Sequence, residues 1–237
     1  MHYKFTAPPL PNLRRWRYLY RKFPGNSVLR VLEYEKLQSL NLVGKFLDVG
    51  GGSNARYARY LPNDLELESI NIDAGISPTH LLQPGQAFPV ADNSFDGVIC
   101  LNTLEHIFDI KFVLDEIHRV LRPGCSVQIA IPFIFRIHGH PDDFHRPTPS
   151  WWREALLQIG YAAVELQPLV WGRYTSAAQI SGYRGLVPAR LQFHWSHIKD
   201  VIYAKLMFRR LSTYSGRRGD RICGVAPGWF ISAKKAA

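Results

Sequence analysis

Long apolar runs are missing from this chain: the longest, around Val127 to Phe135, falls far short of the roughly 20 residues that a bilayer-spanning helix requires. The amino-terminal stretch MHYKFTAPPLPNLRRWR likewise lacks the apolar core of a secretory leader. Cysteine is scarce. Cys100, Cys125 and Cys223 show no C-x-x-C or metal-ligand spacing, which predicts reduced, mostly buried thiols and a cytoplasmic location. Repeats and low-complexity tracts are absent, and with 46% hydrophobic and 20% charged residues the composition excludes disordered, collagen-like and coiled-coil classes. A length of 237 residues suits one α/β domain with additions.

Acids are also in short supply at both ends. Residues 1–45 hold 9 Lys or Arg against 2 acids, residues 46–170 hold 8 against 15, and residues 171–237 hold 12 against 2. An acidic middle is thus bracketed by basic flanks. Any anionic partner, the inner surface of a membrane included, is expected to meet the flanks rather than the core.

What is present starts with Phe46-Leu-Asp-Val-Gly-Gly-Gly-Ser-Asn54. An apolar run that passes through Asp48 and breaks into three glycines reads as a buried strand feeding a ligand-binding turn, because Gly50, Gly51 and Gly52 can take positive φ and carry no Cβ. The string also satisfies a G-x-G-x-x-A dinucleotide pattern through Gly50, Gly52 and Ala55, a weak signal by itself. About twenty residues on, Asp73 closes a second strand over 67–72. A βαβ nucleotide site places a carboxylate there to bind a ribose diol.

Pro8, Pro9 and Pro11 make the first dozen residues extended or disordered. Periodicity predicts helices over 27–40 and 54–61, strands over 95–101 and 126–131, and a helix over 109–121 capped by Asp109 and ended by Arg122-Pro123-Gly124. A helix from near Ser150, a strand over 163–169 and a last strand over 228–232 complete the series. Such alternation implies a mostly parallel sheet with helices on both faces and ligands at the carboxyl ends of its strands.

In order along the chain, FLDVGGGSN, NIDAG, FPVADNSFDGVICLNTLEHI and EIHRVLRPG resemble the successive motifs of class I S-adenosylmethionine-dependent methyltransferases, the type 11 group in particular, and GWFISAKK resembles their final strand. The resemblance implies an α/β, Rossmann-like three-layer sandwich whose seven-stranded sheet is mostly parallel with the last strand antiparallel. It implies that Asp48 and Gly50, Gly51 and Gly52 hold the methionine end and ribose of S-adenosyl-L-methionine. Asp73, with Ala74 beside it in the NIDAG motif, binds the ribose hydroxyls. By the same resemblance Pro89, Val90 and Ala91 stand where the family wraps the adenine, and Asn102 to His106 follow the fourth strand beside the sulfonium. One departure is Pro84, which stands where the family often has an acid for the adenine amine, so adenine recognition falls to backbone groups or to another side chain such as Gln86. The residues agree with the resemblance on their own account: a sulfonium calls for carboxylates rather than the Lys or Arg of a phosphate loop, and residues 46–110 include Asp48, Asp73, Asp92, Asp96 and Glu105. Asp92 and Asp96 are expected to shape their turn.

On the acceptor side, His106 is the first candidate for a general base, since an imidazole suits proton removal near neutral pH. The segment 133–148 after the fifth strand carries His138, His140, Asp142, Asp143 and His145. No rigid helical spacing presents them together, and no metal is expected. Asp143-Phe-His-Arg-Pro-Thr148 resembles the D-Y-x-R-F-T stretch of many type 11 members, which implies a loop closing over acceptor or cofactor, with His145 and Arg146 as further catalytic candidates and Arg146 orienting an anionic or hydroxylated group.

The expected organisation is a single methyltransferase domain: a basic helical extension over 1–44, a cofactor-binding core over 45–170 and 225–235, and a basic insert over 171–224 that selects the acceptor. Pro188 opens a helix to about Leu211 with Leu191, Trp195, Ile198, Ile202 and Leu206 on one face. Such a helix lies on an anionic membrane or packs on the core through its apolar stripe, and packing is the expectation. The expected partner is a small-molecule or glycan acceptor, with peripheral membrane contact through the basic flanks as an option. A nucleic-acid methyltransferase is one alternative, suggested by the basic charge, although nucleic acid is not the expected partner because LNTLEH rather than an Asn-Pro-Pro-Tyr-like motif follows the fourth strand. A catalytically silent cofactor-fold binding protein is the remaining alternative, against which the intact Asp48, glycine turn and Asp73 argue.

Overall fold

The structure, a computed structural model, describes residues 5–139, 142–183 and 186–237. Seven strands form one sheet: β1 (Lys45–Val49), β2 (Glu66–Asn71), β3 (His80–Leu81), β4 (Phe95–Leu101), β5 (Leu121–Pro132), β6 (Tyr161–Leu169) and β7 (Gly228–Lys235), in the order β3-β2-β1-β4-β5-β7-β6. β1 pairs in parallel with β2 on one side and β4 on the other, and β4 with β5. β7 runs against β5: Phe133 and Ile134 donate to the carbonyls of Pro227 and Ala226, and Ser232 to the Gln128 side chain, so partner numbers fall on one strand as they rise on the other.

The helices are α1 (Leu13–Lys22), α2 (Val28–Gln38), α3 (Ile110–Val120), α4 (Pro149–Ile159), α5 (Arg173–Ile180), α6 (Ala189–Met207) and α7 (Gly216–Cys223). Asp109 caps α3 by accepting from the Phe112 N–H at 3.0 Å, and Thr148 caps α4, which ends at Gly160 in the left-handed conformation. Ile110, Val113, Leu114, Ile117 and Val120 are the buried face that the sequence period marks on α3.

The chain gathers into two compact units. One comprises Leu37–Ile131, His138–Leu166 and Phe230–Ala237, which hold most of the sheet with α3 and α4; the other comprises Met1–Lys36, Pro132–Ile137 and Gln167–Trp229. In the latter, Val170, Phe208, Tyr214, Ile222, Cys223 and Ala226 form a buried apolar cluster.

Three expectations are corrected. The helix over 54–61 is instead a chain of tight turns ending in one 3-10 turn at Ala58–Tyr60. Its bonds run from Ala55 to Gly52, Ala58 to Ala55 and Tyr60 to Tyr57, and Pro62 forces Leu61 into an extended conformation. β3 was not expected, being too short for alternation to show. It is held by Ser69 and Thr79, each backbone N–H donating 3.0 Å to the other's hydroxyl.

The third correction concerns α6, whose apolar stripe does not pack inward. Leu191, Trp195, Ile202 and Leu206 are 50%, 57%, 51% and 61% exposed, while Ser196, His197, Asp200, Val201 and Ala204 are buried. The cause is specific polar work on the inner face. Asp200 accepts from the N–H groups of Tyr174 and Thr175 at 2.9 and 2.8 Å, capping α5, and His197 stacks on Trp16 at 4.9 Å. Burial pushes the His197 imidazole down to about 4, so it sits there neutral.

Candidate active site

The sheet order brings the carboxyl ends of β1, β2 and β4 side by side, and most of the candidate residues follow these strands. Asp48 in β1 is 1% exposed. Its Oδ2 accepts from the Tyr57 hydroxyl at 2.5 Å, while Oδ1, equally buried, has no hydrogen-bond partner among the described residues. Desolvation drives the Asp48 carboxyl up to about 7, with the Tyr57 hydrogen bond pulling the other way.

The three glycines after β1 are dictated by the protein's own atoms. A Cβ on Gly50 would meet Thr103 Oγ1 at 2.1 Å, one on Gly51 would meet Asp48 Oδ2 at 1.8 Å, and one on Gly52 would meet the Ile76 carbonyl at 2.6 Å. Gly50 also has φ +90°, a left-handed value that favours glycine. The turn is tied down by Asn71, whose Nδ2 donates to the Gly50 carbonyl at 2.7 Å.

Asp73 is exposed and caps the 3-10 turn beginning at Ala74, with Oδ1 accepting from the Gly75 N–H at 2.8 Å. Pro89 is exposed and Val90 half-buried, in a segment clamped by α3. Glu116 accepts from the Phe88 N–H at 2.6 Å, and Arg119 donates to the carbonyls of Phe88 and Val90, both at 3.0 Å. Asp92 pairs with Arg119 and Asp96 with Arg122, as expected of turn-shaping acids. Asn102, at φ 52°, ends β4 with its N–H on the Ala130 carbonyl.

Beyond β4, a 3-10 turn over Leu104–His106 carries Glu105, fully buried, and His106, whose Nδ1 lies 2.5 Å from the Asp142 carbonyl. The segment after β5 closes on this turn. Phe144 and His145 donate their N–H groups to the Glu105 carbonyl, and His138 stands edge-on to His106 with ring centroids 5.2 Å apart. His145 Nε2 is 2.8 Å from the Phe108 carbonyl. Arg146 grips both carboxylate oxygens of Asp143, which holds that carboxyl below its ordinary range against the opposing effect of burial. His145 and Arg146 therefore shape the loop, and Arg146 carries its charge into an ion pair. His140 lies outside the described residues.

Sequence reasoning missed Tyr57, Asn71, Glu116 and Arg119. The last two were visible only as an i, i+3 pair inside EIHRV, a spacing that puts opposite charges side by side on a helix.

Residues 47–129 match the model of the methyltransferase domain family. This stretch of the chain is similar to methyltransferase domains. The O-methyltransferase rstn1 of Aspergillus nomiae is 36% identical to it over 87 residues, which are 32% of this chain and 39% of that protein. O-methyltransferase resE of Aspergillus sclerotiorum is 27% identical over 141 residues, 58% of this chain and 46% of that protein. The chain thus spans less than half the length of these curated relatives. Among solved structures, phosphoethanolamine N-methyltransferase 2 of Haemonchus contortus, bound to phosphomonomethylethanolamine and S-adenosylhomocysteine, superposes with a TM-score of 0.53 at 14% identity, covering 93% of this chain and 57% of that one. The likeness is one of fold. Among the described residues no helix is long and apolar enough to cross a membrane.

Proposed function

We propose that this chain is an S-adenosylmethionine-dependent methyltransferase acting on an oxygen or nitrogen of a small-molecule or glycan acceptor, oxygen being favoured because both curated relatives above are O-methyltransferases. The observation that carries the reading is the unbonded, buried Oδ1 of Asp48. A carboxylate oxygen buried without a donor is costly, and it fits a ligand that brings positive charge and N–H or O–H donors. It does not fit a pyrophosphate.

When bound, the cofactor supplies a methyl group already activated on a sulfonium. The residues of the chain bind and align. In this reading Asp48 and the Gly50–Gly52 turn hold the methionine end and ribose, Asp73 and Ala74 the ribose hydroxyls, Pro89 and Val90 the adenine, and Asn102 borders the reacting centre. Alignment alone contributes up to ~7–11 kcal/mol in such reactions. His106 takes the acceptor proton. A proton on Nδ1, donated to the Asp142 carbonyl, makes Nε2 the basic nitrogen. His145 and Arg146 act through the loop they hold.

The choice of acceptor is assigned, as part of the same proposal, to residues 171–224 rather than to the cofactor-binding core of 45–170 and 225–235. The exposed stripe of α6 supports peripheral contact with an anionic membrane. At 100° per residue Lys199 and Lys205 flank Leu191, Trp195, Ile202 and Leu206 on either side, and Arg209 and Arg210 follow at once, all exposed. Flotation with vesicles of phosphatidylglycerol and phosphatidylcholine tests this contact. Binding to the anionic mixture, lost on Trp195→Ser with Lys199→Glu, is expected; equal behaviour with pure phosphatidylcholine would end the idea.

Calorimetry with S-adenosylhomocysteine tests the donor half. Binding at micromolar concentrations, weakened by Asp73→Ala, is expected. Absence of binding would sink the methyltransferase reading.

A further inference from the structure

Glu105, His106 and His138 each present a ligand atom, and these atoms all lie within 4.8 Å of one another. His106 Nε2 is 3.7 Å and His138 Nε2 3.9 Å from Glu105 Oε1. Ligands held 2.0–2.1 Å from a tetrahedral zinc stand about 3.3 Å apart, so each imidazole must approach Glu105 by about half an ångström, and the two imidazoles, within 4.8 Å of one another, must close by up to about 1.5 Å. We propose that these three residues form a binding site for one divalent first-row transition metal, and that this cation activates the acceptor hydroxyl.

Three further observations support the site. Glu105 is fully buried, which restricts its carboxylate to its present surroundings. Each imidazole turns Nε2 toward Glu105 and Nδ1 toward an oxygen: His106 Nδ1 is 2.5 Å from the Asp142 carbonyl, and His138 Nδ1 is 3.4 Å from Asp143 Oδ2. Metal-bound histidines are oriented in this way, with the distal N–H donated to a carbonyl or carboxylate. Arg146 also comes within 3.4 Å of His138 Nδ1, but its guanidinium is held by Asp143, and metal binding selects the tautomer that donates to Asp143. The loop is fixed against the turn by the N–H groups of Phe144 and His145 on the Glu105 carbonyl, so ligands from two separate segments share one frame.

Two imidazoles and one carboxylate suit zinc, manganese or iron better than magnesium or calcium, which prefer all-oxygen sets. Three protein ligands leave coordination positions open. An acceptor hydroxyl bound there has its pKa lowered and releases its proton to water. The oxygen lone pair then forms the O–CH3 bond while the C–S bond pair returns to sulfur, giving a methyl ether, neutral S-adenosylhomocysteine and one proton. This inference rests on the methyltransferase reading for its purpose but not for its test. With the metal in place, the cation does the work assigned above to His106 as a base.

The test uses the full chain without a histidine tag, stripped with EDTA and titrated calorimetrically with zinc chloride and with manganese chloride, magnesium chloride serving as control. One equivalent of zinc or manganese is expected to bind at least tenfold more tightly than magnesium. His138→Gln, in an exposed loop, is expected to weaken that binding at least tenfold while leaving S-adenosylhomocysteine affinity within twofold; Glu105→Gln should do the same if it folds. Absence of zinc and manganese binding, or binding undiminished in His138→Gln, overturns the site. In that event unaltered S-adenosylhomocysteine affinity would leave the donor reading standing.

Discussion

Two buried aspartates, one in each compact unit, serve opposite ends. Asp200 gives one carboxylate oxygen to the Tyr174 N–H and the other to the Thr175 N–H. Asp48 gives one oxygen to Tyr57, and the other has no partner among the described residues. Burial raises the carboxyl of both. A buried acid whose oxygens are both used is holding a fold together, whereas one left half-satisfied is a cost the folded chain carries until something binds.

The comparison breaks most directly at Asp48. Asp48→Asn is expected to lower S-adenosylhomocysteine affinity by about 2–5 kcal/mol, the range for removing one partner of a desolvated charge pair, as read by calorimetry at pH 8. The same substitution should raise the stability of the ligand-free protein. The folded carboxyl stands near 7 against an ordinary 3.8, so the folded state holds a proton between those values that the unfolded chain releases. Stability linked to Asp48 is therefore full below about pH 4 and falls as pH rises to about 7. At pH 8 Asn removes that penalty, a gain on the order of 2–4 kcal/mol, and chemical denaturation at pH 5 should show a smaller gain.

Asp200 should answer in the opposite direction. Asp200→Ala strips the cap from α5 and leaves two buried N–H groups without an acceptor, at a cost of about 2–3 kcal/mol, measurable in the same denaturation experiment and with cofactor affinity unchanged. Next in size is the pH profile of S-adenosylhomocysteine binding in the wild type. Affinity should be flat above about pH 7 and drop roughly tenfold for each unit below it, as Asp48 takes up its proton; a flat profile from pH 8 to 5.5 would remove Asp48 from the binding site. The smallest effect is expected at the exposed stripe of α6, where Leu206→Ser should change stability by less than about 0.5 kcal/mol, the reverse of what an inward-packed stripe would give.

How far the sequence reads depends on whether a residue answers to its chain neighbours or to a distant partner. The helix capped by Asp109 was legible because its cap and apolar period are contiguous in the chain, but its end was not: Leu121 is already extended and opens β5, so Arg122-Pro123-Gly124 lies in the strand rather than ending the helix. The sheet and its antiparallel last strand followed from ordered motifs. α6 was misread because its apolar pattern is honest about hydrophobicity but silent about Asp200, whose partners lie 25 and 26 residues away. In the candidate site, Asp48 and the glycines could be found from one contiguous string. Glu105, His106 and His138 could not be grouped, because the third comes from another loop and only the folded backbone brings it close. The residues of 54–61 misled for a local reason: eight positions ahead of Pro62 have helical composition but too few turns to hold a helix.

The glycine turn binds more than its own segment. Gly50 is bounded by Thr103 from the end of β4, Gly51 by Asp48 from β1, and Gly52 by Ile76 from the turn after β2. Three pieces of chain far apart in sequence thus each set the tolerance of one glycine. A drift in any of them is registered at a different point of the turn, and this makes the turn a gauge of how well three strands are assembled.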